Sequence, residues 1–187
     1  VTLESNSLKL KSIGVSLKGE REAAVLAAAV VEGISLSSYR FVDHSEKLKK
    51  QNKKKGIDKV IILCETREVS GVKKRVGLVQ KILEGVSVTR DLVNEPAGHM
   101  SPKELVKRAR IIAANSPEMT VKVLNRAQAK KEKFNAFLAV AQGSVEEPYV
   151  IHLKYKPRKA NKGRKKVCLV GKGVTFDSGG ISIKPSS

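Results

Sequence analysis

The chain has 187 residues, and its 37 Lys and Arg against 18 Asp and Glu give a formal net charge of +19 at pH 7. A hydrophobic content of 41% with a mean hydropathy of −0.23 excludes both a membrane protein and a wholly disordered chain. The longest uninterrupted apolar run, residues 23–31, is much shorter than the ~20 residues of a transmembrane helix.

Two cysteines, Cys64 and Cys168, are too few for a disulfide framework. Both lie in apolar runs typical of strands, which predicts reduced and buried thiols. No segment with a charged start and an apolar centre, typical of a secretory signal, opens the sequence. We therefore expect a cytoplasmic protein with no membrane association.

The excess of positive charge favours a polyanionic partner, because Lys and Arg neutralise phosphates and release counterions. The basic residues concentrate in two stretches, 47–55 and 154–166. However, aromatic residues make up only 4% of the chain and Trp is absent. Neither stretch matches a zinc finger, a helix-turn-helix or an RNA-recognition pattern. A basic nucleic-acid-binding module therefore stays an alternative and is not the first interpretation.

Helices alternate with short apolar runs along the sequence, which is typical of α/β proteins. Residues 19–38 are predicted to form a helix with Glu20 and Glu22 near its positive end, and with an apolar middle buried on more than one face. Residues 47–56 form a polar loop in this interpretation. The apolar run 60–64 is typical of a strand covered on both faces.

A long amphipathic helix is predicted over residues 71–92, and the residues at 94–98 end it. We place a domain boundary there, which divides the chain into an α/β remnant (1–70), a connecting helix (71–93) and a second α/β domain (94–187). The buried stripe of this helix is predicted to comprise Val72, Val76, Val79, Leu83 and Val86.

The start of the next helix is marked by Ser101 at the N-cap, Pro102 at the first helical position and Glu104, which can complete a capping box. The helix is expected to bury a stripe comprising Leu105, Ala109, Ile112 and Ala113. The remaining predicted elements are strands at 120–124, 136–141, 149–155 and 166–170, a short helix at 126–134, and a basic loop at 156–165.

The residues with the most chemical content lie at 170–185, where an apolar strand leads into a glycine-rich loop with two lysines and one aspartate. Open α/β sheets place their sites at the carboxyl ends of strands. The loop matches neither a phosphate-binding loop nor a dinucleotide fingerprint, and no serine-elbow or zinc-peptidase helix motif occurs. His44, His99 and His152 are scattered and are interpreted as ordinary surface or core residues.

Residues 171–187, GKGVTFDSGGISIKPSS, closely resemble the metal-binding signature of the leucyl aminopeptidases, the cytosolic two-metal exopeptidases of peptidase family M17. Three more segments agree with that family in order and spacing: TRDLVNEPAGHMSPKEL, AFLAVAQGS and EEPYVIHLKY. The resemblance extends from about residue 19 to residue 187. It implies a mixed-sheet α/β catalytic domain that begins near residue 94.

The resemblance also implies roles for three residues. Lys172 matches a lysine whose neutral amine binds one metal, and Asp177 matches a carboxylate ligand of the metal pair. Lys184 matches the lysine that polarises the substrate carbonyl and stabilises the developing oxyanion. The implied cofactors are two divalent ions, Mn²⁺ or Zn²⁺, with bicarbonate as base. The implied substrates are peptides with bulky, leucine-like N-terminal residues, and the implied assembly is a hexamer.

The family pattern continues with a second aspartate ligand and an N-T-D-A-E-G-R stretch, neither of which follows Lys184 before Ser187. The chain thus carries only two of the metal ligands that the family uses, Lys172 and Asp177. From this we expect a fragment of an aminopeptidase that is inactive alone and binds metal weakly.

Overall fold

A computed structural model describes residues 10–42, 44–46, 57–158, 163 and 165–177. The chain divides into two compact units, Val1–Asn94 and Glu95–Ser187. Both units combine helices with a small sheet, which confirms the predicted α/β class. The predicted loop 47–56 lies outside the described residues, and the three-part domain division stays a prediction. Within the described ranges, every helix is too short or too polar to cross a bilayer.

The first unit is a βαβ arrangement followed by a long helix. Strands β1 (Ser12–Ser16) and β2 (Lys59–Leu63) are parallel, with Gly14 opposite Ile61. Helix α1 (Ala23–Ser38) lies between them in the chain, as a parallel pair requires. A short 3₁₀ turn, Thr66–Glu68, then leads into α2 (Val69–Asn94).

The core of this unit lies between α1 and α2. Helix α1 contributes small side chains, and Ala27 is completely buried. Small residues let the two helix backbones approach closely, so the larger aliphatic side chains of α2 fill the space between them. Two clusters result, one of Leu17, Ala23, Ala27 and Val72, and the other of Ala28, Val31, Val79 and Leu83.

The predicted stripe of α2 is confirmed. Val72, Val79 and Leu83 are buried, and Val76 and Val86 are half-buried. The helix is longer than predicted by two residues at each end, which is the usual uncertainty of a boundary read from sequence.

Two burial predictions for this unit are wrong. Helix α1 is buried on one face only, since Val25 is 49% exposed. It also begins later than predicted, at Ala23, because Gly19, with φ of +81°, lies in the turn before it. Strand β2 is likewise covered on one face, because its exposure alternates and Ile61 and Leu63 face solvent. Continuous apolar runs indicated two-sided burial, but the helices among the described residues cover one side.

A polar cluster joins the C-terminal ends of α1 and α2. The Tyr39 hydroxyl donates to Asp91 Oδ1 at 2.7 Å and accepts from Asn94 Nδ2 at 3.2 Å. The Arg90 guanidinium lies 4.0 Å from the centre of the Tyr39 ring and donates to the Leu36 carbonyl at 3.0 Å. Arg90 thereby satisfies a carbonyl at the end of α1 while stacking on the residue that follows the helix.

The second unit pairs two antiparallel strands, β3 (Met119–Leu124) and β4 (Val150–Tyr155), with Val121 opposite Leu153. Helix α3 (Pro102–Ala114) packs against this sheet. Two short helices, α4 (Arg126–Lys131) and α5 (Asn135–Val140), lie between the strands in the chain.

The predicted start of α3 is confirmed. The Ser101 hydroxyl accepts a hydrogen bond from the Glu104 N–H at 3.3 Å, and Pro102 occupies the first turn. The Glu104 carboxylate contacts Lys107 and Arg108 in place of the N-cap backbone. The most buried residues of α3 are Val106, Ala109 and Ala113, while Leu105 and Ile112 are half-buried.

Three predictions for the second unit are wrong. Residues 136–141 belong to helix α5, because a short apolar run does not distinguish a strand from a buried helix. Residues 166–170 form no strand, and Leu169 is 93% exposed, since no described strand pairs with them. Cys168 is therefore exposed instead of buried, while Cys64 is partly buried as a free thiol.

The N-cap of α3 gives a direct stability test. Replacing Ser101 with Ala removes the acceptor for the Glu104 N–H and should lower the free energy of unfolding by about 1 kcal/mol. Urea denaturation of the whole chain, followed by circular dichroism at 222 nm, measures the change. Ser101→Asp keeps an acceptor and should retain stability. An equal loss in both variants would contradict the capping role.

Tyr39 gives a test of the polar cluster. Partial burial, followed by the hydrogen bond to Asp91, raises the pKa of Tyr39 above its ordinary 10.0. The neutral phenol is thus favoured by folding, so this stabilisation is present below pH 10 and is lost as the pH rises through the pKa of the folded state. The difference in absorbance at 295 nm between wild type and Tyr39→Phe isolates this titration. A midpoint at or below that of the urea-unfolded chain would contradict the cluster.

Candidate functional site

The candidate site lies in residues 165–177, which follow β4 and form no regular secondary structure. The Val174 N–H donates to the Lys172 carbonyl at 3.0 Å, which closes a tight turn beside the predicted lysine ligand. The side chains of Lys172 and Asp177 are both exposed. The backbone is thus ordered locally by a turn, while the predicted ligands face outward.

Helix α3 lies beside this turn. A Cβ atom built on Gly173 would lie 3.6 Å from Leu105 Cδ1, so the glycine backbone rests against the first turns of α3. That distance is an ordinary van der Waals contact, and an alanine would fit there. Leu105, which the sequence assigns only to the buried stripe of α3, thus also lies next to the segment that carries Lys172.

The same end of α3 carries an ion-pair cluster. Glu104 accepts from Lys107 Nζ at 2.7 Å and lies 3.4 Å from Arg108 Nε. The hydrogen bond from Lys107 chiefly, together with the charge of Arg108, lowers the pKa of Glu104. The lowered pKa favours the ionised form of the carboxylate. In the first turn of α3, a negative charge also complements the positive end of the helix dipole.

The structure brings two of the three predicted site residues onto one segment. Lys172 lies in the turn and Asp177 directly follows Phe176, while Lys184 lies outside the described residues. One amine and one carboxylate are suitable donors for a borderline or hard divalent ion such as Zn²⁺ or Mn²⁺. Two exposed donors alone do not make a tight site, which needs several converging ligands. The assignment of these roles stays a prediction.

A comparison with known protein families matches the part of the chain that contains the candidate site. The family model described as the cytosol aminopeptidase family, catalytic domain, matches residues 87–187. A probable cytosol aminopeptidase of Roseiflexus castenholzii is 36% identical over 172 residues, covering 92% of this chain and 34% of the relative. The chain thus spans about a third of the length of the curated relatives that it matches.

Two solved structures share the fold. A tomato leucine aminopeptidase mutant has a TM-score of 0.72 and 25% identity, covering 86% of this chain and 32% of that one. The bottromycin maturation enzyme BotP, solved in complex with Mn, has a TM-score of 0.62 and 27% identity, covering 80% of this chain and 30% of that one. Since the family model covers more than half of the sequence, the chain belongs to the cytosol aminopeptidase family, peptidase family M17.

Proposed function

We propose that this chain forms part of the catalytic domain of a cytoplasmic two-metal aminopeptidase that releases bulky apolar N-terminal residues from peptides. The observation that carries the proposal is the segment with Lys172 and Asp177, which lies within the match to the catalytic-domain model. A manganese complex of a structural neighbour supports the dependence on divalent metal. The relative that aligns with 92% of this chain is a probable cytosol aminopeptidase, which supports peptide-bond hydrolysis at the N-terminus as the reaction.

Lys172 and Asp177 would act as metal ligands in this proposal. An amine binds a metal only through its free electron pair, so Lys172 must lose its proton when it coordinates. Asp177 already offers the anionic oxygen that such ions prefer. The tight turn orders the backbone at Lys172, which limits the entropy that is lost at that residue on binding.

Lys184 would donate to the substrate carbonyl oxygen as negative charge develops on it. When bound, a metal pair supplies an acidified water and polarises the carbonyl, with bicarbonate as the proposed proton acceptor. The protein's own contribution is thus a fixed cation at the oxyanion and two ligands on one segment. Assembly into hexamers is part of the proposal for the whole enzyme.

The 187-residue chain alone is proposed to be inactive. It offers one amine and one carboxylate, and both side chains are exposed to water. Without a metal to favour its neutral form, the Lys172 ammonium would repel a dication instead of binding it. Complementation with the rest of a catalytic domain should therefore restore metal binding and activity together.

A chimera tests the proposed roles. Residues 19–187 replace the matching region of the Roseiflexus castenholzii relative, and hydrolysis of leucine p-nitroanilide is measured with Mn²⁺. Lys184→Ala should lower kcat about 10²–10³-fold, as loss of an oxyanion donor does. Lys172→Ala and Asp177→Ala should raise the Mn²⁺ concentration that gives half-maximal activity.

Lys166→Ala is the matched control for the lysine variants, because Lys166 is an exposed lysine on the same segment. Its activity and its Mn²⁺ dependence should equal those of the parent chimera. An active chimera in which Lys172→Ala and Lys166→Ala behave alike would contradict the assignment of Lys172 as a ligand.

A calorimetric titration of MnCl₂ into the 187-residue chain tests the weakness of its isolated site. We expect a dissociation constant well above 1 μM, because two exposed donors hold such ions poorly. Asp58→Ala is the control for Asp177→Ala, since Asp58 is an exposed carboxylate paired with Lys11 at 3.5 Å. Submicromolar binding that only Asp177→Ala abolishes would overturn this expectation.

A further inference from the structure

One face of the β3–β4 sheet is strongly basic. Residues directly opposite each other in an antiparallel pair share a face, and the register pairs Lys122 with His152 and Thr120 with Lys154. The Lys156 N–H donates to the Glu118 carbonyl at 2.8 Å, which continues the register by one more pair on this face. The face therefore presents Lys122, His152, Lys154 and Lys156, all exposed.

Within the described ranges, no acidic side chain forms an ion pair with these basic side chains. Among the described residues, the register places one carboxylate on this face, that of Glu118. Its Oε1 atom forms an ion pair with Arg158 Nε at 2.8 Å. In the described part of the chain, Lys122, Lys154 and Lys156 form no ion pair. Lys122 and Lys154 lie diagonally across the two strands, and diagonal neighbours are ~7–8 Å apart, so their like charges repel one another. An external polyanion would relieve that repulsion.

The composition of the face selects among polyanions. It presents no exposed aromatic ring, since Tyr155 belongs to the opposite face with Met119, so it cannot stack unpaired bases. Its exposed basic residues lie around Thr120 and Glu118, and no exposed large aliphatic side chain that would enter a bilayer lies among them. Lysines at such spacings suit the closely spaced phosphates of a double helix.

We infer that this basic face binds the phosphate backbone of duplex DNA without reading its sequence. Lys122 and Lys154 lie diagonally across the two strands, so they contact separate phosphates. The whole-chain charge of +19 steers the duplex to the protein, and the unpaired lysines of this face make the close contacts. The inference is independent of the proposed peptidase activity.

The test is fluorescence anisotropy of a labelled 30-base-pair DNA duplex with the 187-residue chain between 50 and 200 mM KCl. We expect a dissociation constant of roughly 10⁻⁶–10⁻⁴ M near physiological salt. Lys122→Gln/Lys154→Gln should reduce the slope of log K against log salt by roughly 1.8, because two phosphate contacts are lost. Lys73→Gln/Lys74→Gln is the control, since it removes the same charge from exposed positions of α2.

The control variant should keep the wild-type slope. Equal losses in both double variants would show that net charge alone attracts DNA and would overturn the inference. Absence of binding by the wild-type chain at 50 mM KCl would also overturn it. Displacement of the duplex by polyglutamate or by unpaired DNA at equal charge concentration would show that the face does not prefer a double helix. Circular dichroism confirms that each variant is folded.

Discussion

Each unit depends on helix packing against a sheet that is too small to be stable by itself. Two strands expose most of their backbone and side chains, so an isolated pair is at best marginally stable in water. In the first unit the alanines of α1 let α2 come close, and the aliphatic side chains between the helices supply the burial. In the second unit α3 serves the same purpose through Val106, Ala109 and Ala113.

The three long helices, α1, α2 and α3, were predictable because their signals are local. Helix α2 repeats apolar residues at the helical period over several turns, and Ser101-Pro102 marks the start of α3 through hydrogen-bonding chemistry that involves only neighbouring residues. Strand burial was not predictable in the same way. The run 60–64 is apolar throughout, yet which of its faces is covered depends on elements distant in the sequence.

For the candidate site, too, local features could be predicted from the sequence and long-range neighbours could not. The sequence identified Lys172 and Asp177 through resemblance to a family signature, which their spacing alone would not have done. It did not predict that Leu105 would lie beside Gly173, because the two residues are far apart in the chain. The short runs 136–141 and 166–170 were misassigned for a related reason, since apolar composition alone says nothing about whether a partner strand is present.

The exposed run 167–170 has a consequence for how the chain behaves in concentrated solution. Val167, Leu169 and Val170 are more than four-fifths exposed, and the run has high β-propensity with no charge and no proline. Exposed apolar runs of this kind favour association between copies of a chain. Lys166 and Lys172 flank the run and act as gatekeepers, because stacked copies would bring these charges together. Part of the positive charge of the chain thus keeps it colloidally stable, an effect that added salt weakens.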